Sequence, residues 1–240
     1  MKIQNMPVKF YYLVTGASSG IGYATALELS RDPETKVIAI ARSGNKLERL
    51  REASGQTITT LVFDLENGDM RALAEQLIRQ GIPSLNGIIH NAGFLVNRPF
   101  ADITKTELEQ SYRINVFGPY LLTQALMPLL EKSGDAHIVH ISSVGGVQGS
   151  VKFPGLSAYS SSKGALSVLT ECLATEFSER PVRVNCLALG AVQTEMLAQA
   201  FPGYKAPLQS HEMAGFIAWF LRNGHHFFNG KILPVALSTP

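Results

Sequence analysis

Only two cysteines, Cys172 and Cys186, occur in 240 residues. Two thiols build no disulfide framework and have no metal-site spacing, so a reducing, cytoplasmic compartment is expected. No apolar run reaches the ~18–20 residues needed to span a bilayer. Residues 1–9 are short and mostly polar, which does not read as a signal peptide. Net charge is only +2, and Lys and Arg are scattered without a basic run or interleaved aromatics. That excludes a nucleic-acid footprint. Repeats, linkers and low-complexity segments are missing too. The six histidines supply no ligand set with usable spacing, so no metal is expected. His137 and His140 fall on opposite faces of one strand, His90 ends a strand as a packed residue with a backbone partner, and His225-His226 lies in a loop.

Apolar runs alternate with helical patterns instead. Strands are expected at 11–14, 37–40, 59–63, 87–90, 137–141, 183–188 and 231–235, most of them apolar on both faces as in a parallel sheet covered on both sides. Helices are expected at 21–30, 46–51, 70–80, 105–131, 158–177 and 210–221, with Gly118-Pro119 and Pro128 breaking or kinking the long one. The apolar stretch 213–221, with Trp219, reads as core. With 45% hydrophobic residues, one α/β domain over residues 1–240 fits the length. The fold class is a Rossmann-like, doubly wound parallel sheet of about seven strands with helices on both faces. Segments 145–155 and 190–207 are loops that follow strands, where ligands bind in this architecture.

Thr15-Gly16-Ala17-Ser18-Ser19-Gly20-Ile21-Gly22 follows a strand and opens a helix. Glycines permit the sharp turn and close approach to a pyrophosphate, and the helix N-terminus offers unpaired N–H groups. The spacing is GxxxGxG rather than the common GxGxxG. At the end of the second strand, where an NAD site usually carries an acid, stand Ala41 and Arg42. No carboxylate repels a 2′-phosphate there, and a guanidinium can bind one, which favours NADP over NAD. Asp32 and Glu34 precede that strand and read as turn and cap residues.

Tyr159-Ser-Ser-Ser-Lys163 puts a phenol and an ammonium on one helix face. At ~5 Å and an effective dielectric of ~20, the lysine would favour the phenolate by roughly 3 kcal/mol, lowering the tyrosine pKa by about two units. A tyrosine so tuned exchanges a proton with a carbonyl or alcohol oxygen, and a serine hydroxyl can hold that oxygen.

Together, the glycine turn, Asn91-Ala92-Gly93, Asn115 in Asn-Val-Phe-Gly, Ser142-Ser143 and Tyr159-x-x-x-Lys163 resemble, in order and spacing, the short-chain dehydrogenase/reductase family. The resemblance spans about residues 10–235. It implies that Tyr159 is the proton donor or acceptor and that Lys163 lowers its pKa and holds the nicotinamide ribose. It makes Ser143 the residue that orients the substrate oxygen, with Ser142 the less favoured choice, and Asn115 the support of a proton-relaying water. Gly16, Ser18, Ser19, Gly20, Ile21, Gly22 and Arg42 would meet the cofactor phosphates. Asp64 and Leu65 would meet the adenine, Asn91, Ala92 and Gly93 the adenosine side, and Val192 and Thr194 the nicotinamide amide and phosphate. It also implies a homotetramer or homodimer with the Tyr159/Lys163 helix at an interface.

Three departures stand out. Leu189-Gly190 replaces the family's Pro-Gly after the sixth strand, the interval from Ser143 to Tyr159 is longer than typical, and the C-terminal region lacks Asp-Gly-Gly. Phe94, Phe153, Leu156 and Phe201 flank the motif loops and are expected at the substrate site. The implied activity is NAD(P)-dependent hydride transfer between nicotinamide and a small-molecule carbonyl or secondary alcohol, with reduction by NADPH the favoured direction. Two alternatives stay open: a 3-oxoacyl-carrier-protein-type reductase, and a non-catalytic NADP-binding sensor or scaffold.

Overall fold

The computed structural model describes residues 8–237; most of the segment considered as a signal peptide lies outside them. Seven parallel strands form one sheet, and the helices pack on both of its faces. In chain order these are β1 (Phe10–Thr15), α1 (Gly20–Ser30), β2 (Thr35–Ala41), α2 (Gly44–Ala53), β3 (Thr59–Val62), α3 (Met70–Arg79) and β4 (Gly87–His90). Then come α4 (Lys105–Tyr112), a π-helical turn (Arg113–Phe117), α5 (Gly118–Glu131), β5 (Ala136–Ser143), α6 (Ser157–Glu176) and β6 (Val182–Leu189). The chain ends through β7 (Val192–Gln193), α7 (Glu195–Ala200), β8 (Leu208–Gln209), α8 (Ser210–Asn223) and β9 (Ile232–Val235).

Burial on both sheet faces explains the near-continuous apolar strands. Leu13, Ile38, Ile88 and Ile138 pack toward α3, α5 and α6 through Leu77, Leu126 and Leu173. Their neighbours Val14, Val37, Ile89 and Val139 pack the other way, with α1, α2 and α8 through Leu29, Leu47 and Ile217. The core expectation for 213–221 holds for one face of α8. Met213, Ile217 and Phe220 are buried, while Trp219, 50% exposed, points out.

The strand order β3-β2-β1-β4-β5-β6-β9 reverses direction between β1 and β4. This is the switch point at which open α/β sheets bind ligands beyond the carboxyl ends of their strands. The edge strand β9 tolerates Pro234, because a strand with one partner needs fewer N–H donors.

The long helical region expected over 105–131 is interrupted at Gly118-Pro119 as expected, while Pro128 does not break it. Thr104 and Glu107 form a capping box on α4, the π turn follows, and α5 runs to Glu131 with Pro128 inside it. Gly118 N–H bonds back to the Arg113 carbonyl, a five-residue step. Pro119 has no N–H to give the Asn115 carbonyl four residues back, so the regular α ladder cannot pass this point. The segment expected as loop over 190–207 contains α7, and β7 and β8 pair across it as a two-stranded parallel ribbon.

Candidate active site

The C-terminal ends of β1, β2, β4, β5 and β6 open into a cleft of about 930 Å³. At its floor, Gly16 (φ +66°) and Gly20 (φ +57°) take left-handed conformations that a side chain would strain. A Cβ on Gly22 would run into Asn91 Nδ2 and Gly16 O. Thr15 Oγ1 accepts from the N–H groups of Asn91 (3.0 Å) and Ala92 (2.9 Å), and Asn91 Nδ2 donates to Thr15 O at 3.1 Å. The glycine turn and the β4 end are thereby fastened together.

The helix termini differ in a telling way. Asp69 caps α3, and capping boxes close α4 and α8. The caps of α1 and α2, Ser19 and Ser43, accept no hydrogen bond through their side chains, and neither first turn carries an acid. Unspent N–H groups at a helix N-terminus suit an anion, and Ser19 and Ser43 both line the cleft. Arg42 lines it too, and among the described residues it forms no salt bridge. Asp32 is spent in its own turn, accepting from Glu34 N (3.0 Å) and Thr35 Oγ1 (3.1 Å) as expected. The glycine cradle, the open helix ends and Arg42 fit a phosphorylated dinucleotide.

Lys46 was not singled out from the sequence. It lines the cleft from the first turn of α2, and its Nζ reaches Glu195 Oε2 at 2.9 Å across the cleft. Its position four residues beyond Arg42 was the available signal, but a lone lysine on an exposed helix carries little weight without the fold. Asp64 and Leu65 also line the cleft, just past β3. The Asp64 carboxylate accepts from Glu66 N (2.9 Å) and Asn67 Nδ2 (3.1 Å), leaving lone pairs on both oxygens. Val192 and Thr194 stand opposite the glycine turn, with Thr194 Cγ2 3.2 Å from the place a Gly20 Cβ would take.

Ser143, Tyr159 and Lys163 converge on the same cleft. The Tyr159 phenol and the Ser143 hydroxyl lie near one another on the cleft wall, and Ser143 Oγ accepts from Gly145 N at 3.2 Å. Ser142 is committed elsewhere, its Oγ donating to Lys163 O at 2.9 Å. Lys163, 3% exposed, donates from Nζ to Ile141 O at 2.7 Å and lies 5.8 Å from the Tyr159 ring centre. Burial pushes the Tyr159 pKa up to about 12, against the smaller opposing effect of the nearby Ser143 hydroxyl. That corrects the expected downward shift: the ammonium bonds a carbonyl rather than the phenol, so desolvation dominates. Burial also pulls Lys163 down to about 8.

Asn115 is fully buried in the π turn. Its amide donates to Phe94 O (2.9 Å) and Ser162 Oγ (2.8 Å) and accepts from Phe94 N (2.8 Å), pinning the segment after Gly93. With both amide hydrogens used, the side chain has no donor left for a water. Leu189 continues β6, opposite Ser143 and Val235, where the family's proline would have no N–H for the ladder. Gly190 survives because a Cβ would meet Ala236 Cβ at 2.5 Å. Of the four aromatic and aliphatic residues expected at the substrate end, Phe153, Leu156 and Phe201 line the cleft and Phe94 does not.

The histidines stay apart from this site. His90 Nε2 bonds the Thr123 side chain at 2.9 Å, not a backbone group, and His140 Nδ1 bonds Thr170 Oγ1 at 2.8 Å. His137 faces the other side of β5, bonded to Leu221 O at 3.0 Å. Where sequence spacing suggests no ligand set, Asp135, His225 and His226 bring possible ligand atoms within 4.8 Å of one another, beside the N-terminal end of β5 and away from the cleft.

Residues 11–205 match the short chain dehydrogenase family. The chain is 36% identical over 198 residues to the uncharacterized oxidoreductase YciK of Escherichia coli K12, covering 79% of this chain and 76% of that protein. It is 34% identical over 248 residues to human dehydrogenase/reductase SDR family member 4, covering 95% and 86%. A solved structure of a short chain dehydrogenase from Shigella flexneri complexed with NADP superposes with a TM-score of 0.86 at 30% identity, covering 96% of this chain and 98% of that one. By sequence match, fold and arrangement of the cleft, the chain belongs to the short-chain dehydrogenase/reductase family.

Proposed function

We propose that this protein is a single-domain NADP-dependent oxidoreductase that interconverts a carbonyl and a secondary alcohol, working chiefly as a reductase. The carrying observation is that Ser143, Tyr159 and Lys163 face one cleft with the uncapped N-terminus of α1 and with Arg42. The nicotinamide, when bound, supplies or accepts the hydride. Ser143 Oγ holds the carbonyl oxygen, and the Tyr159 phenol, protonated at neutral pH, donates its proton to it. Lys163, charged below pH about 8, opposes the negative charge that the phenol gains as it gives up that proton. Asn115 positions Gly93 and Phe94 beneath the site, and its main-chain carbonyl, rather than its amide, is the group left to hold a relaying water. A phenol held near pKa 12 carries its proton at neutral pH, which is the state that reduction of a carbonyl starts from.

Arg42, with Lys46 beside it, binds the 2′-phosphate, and the NADP in the similar Shigella structure supports this assignment. Calorimetric titration should show NADPH bound more tightly than NADH. Arg42→Ala should lower NADPH affinity between about 10- and 100-fold, as expected for a lost charge-assisted hydrogen bond, and leave NADH affinity near the parent value. Tighter binding of NADH by the parent would overturn the cofactor assignment.

The chain is further proposed to form a homodimer or homotetramer. Tyr120 and Leu121 on α5 and Val168 on α6 are exposed apolar residues on helices that otherwise bury such groups. The two thiols are unpaired, Cys172 exposed and Cys186 buried, which suits a reducing cytoplasmic setting. Among the described residues, no helix is long and apolar enough to cross a membrane.

A further inference from the structure

Among the described residues, the part of the cleft beyond Tyr159 is walled without charge. Val144 and Leu156 come from the chain between β5 and α6, and Leu197 and Phe201 come from α7 and the residue after it. Phe153 (36% exposed), Met196 (39%) and Tyr204 (51%) add apolar surface that folding leaves open to the cleft. The charged residues lining the cleft lie elsewhere or are engaged. Arg42, Lys46 and Asp64 stand beside β2 and β3, Glu195 is bonded to Lys46, and Lys163 sits behind Tyr159.

Nearby polar groups are spent as well. The Lys152 ammonium, next to Phe153, is held by its own loop through Val147 O (2.6 Å), Ser150 O (3.1 Å) and Ser150 Oγ (2.7 Å). Arg98 pairs with Glu107 at 3.2 Å. Asn97 Nδ2 donates to Ala200 O at 2.8 Å, and Arg98 N donates to Gly155 O at 3.0 Å, so the β4 loop, the β5 loop and α7 close into one wall. A sugar would find few partners for its hydroxyls, and a carboxylate or phosphate would find no counter-charge.

We infer that the substrate is an uncharged ketone or aldehyde bearing a bulky apolar group of about the size of an aromatic ring. This rests on the oxidoreductase reading of the same cleft. In the reaction, hydride from NADPH adds to the carbonyl carbon, the Tyr159 proton goes to the oxygen, solvent restores that proton, and the products are the alcohol and NADP+.

The test is a kinetic panel with NADPH. It comprises 1-phenyl-1,2-propanedione, 2,3-butanedione, xylulose, acetoacetyl-pantetheine and benzoylformate, with the parent protein and with Met196→Lys. The phenyl dione should exceed butanedione and xylulose in kcat/KM by at least about 20-fold, the effect of burying one ring's apolar surface. Met196→Lys should lower the phenyl dione value and raise that of benzoylformate, each by about fivefold or more. Highest turnover of xylulose, benzoylformate or acetoacetyl-pantetheine by the parent overturns the substrate class and leaves the oxidoreductase reading standing. If no carbonyl is reduced, calorimetry of the phenyl dione on NADPH-saturated protein decides. Saturable binding weakened by Met196→Lys supports the apolar site and sinks the oxidoreductase reading, whereas no binding overturns the substrate class.

Discussion

Tyr159→Phe should reduce carbonyl turnover by about 10³-fold, within the range general acid catalysis contributes, while NADPH affinity stays within about fivefold of the parent. The reason lies in one oxygen atom. The phenol meets Ser143 Oγ at the wall of the cleft, and with its pKa near 12 it carries its proton throughout the neutral range. Phenylalanine keeps the ring and its packing on α6 and removes only the proton donor. The residues proposed to hold the cofactor, in the glycine turn, at Arg42 and at the β3 end, lie on other elements of the cleft. Stopped-flow turnover with the best carbonyl of the panel, beside a calorimetric NADPH titration, separates the two effects. A variant that turns over at the parental rate would sink the assignment of Tyr159 as acid.

Much of this was legible in the sequence because the signals were local or periodic. Doubly buried strands such as Gly87–His90 and Ala136–Ser143 need apolar residues on both faces, and no other common element makes that pattern so briefly. The Tyr159/Lys163 spacing fixes a shared helix face whatever surrounds it. What escaped depends on three-dimensional neighbours. Lys46 gains meaning only because α2 and α7 meet across the cleft, placing Glu195 beside it. The π turn required reading Pro119 against the carbonyl of Asn115, where proline alone suggested only a break. The direction of the Tyr159 shift was misjudged because sequence spacing gives a distance between two groups but not their desolvation, nor that Ile141 O would take the ammonium. The Asp135, His225 and His226 cluster joins residues some ninety positions apart, a proximity no spacing rule reaches.

Lys163→Met should combine lost activity with gained stability. At 5.8 Å from the Tyr159 ring centre the ammonium attracts the charge that develops on the phenol as its proton leaves, an attraction smaller than the desolvation that raises the resting pKa, so its removal should slow reduction by roughly 10-fold or more. The same charge burdens the fold. Lys163 is buried, and its pKa falls from 10.5 to about 8 in the folded chain through desolvation. Below pH 8 both folded and unfolded chains hold the proton, and the full penalty, about 3 kcal/mol, opposes folding. Between pH 8 and 10.5 the unfolded chain still holds the proton that the folded chain has released, so stability from this group rises with pH. Methionine removes the penalty and also the charge-assisted bond to Ile141 O, which contributes about 2 kcal/mol, leaving a net gain of about 1 kcal/mol at pH 7. Urea unfolding of the cofactor-free proteins should therefore show the variant ahead at pH 7 and its advantage shrinking toward pH 10. In the parent, the rate of carbonyl reduction should fall above pH about 8 as Lys163 loses its charge, and the variant's profile should lack that limb. A variant less stable than the parent at pH 7, with the descending limb intact, would mean that Lys163 supports the fold and does not carry the charge that assists Tyr159.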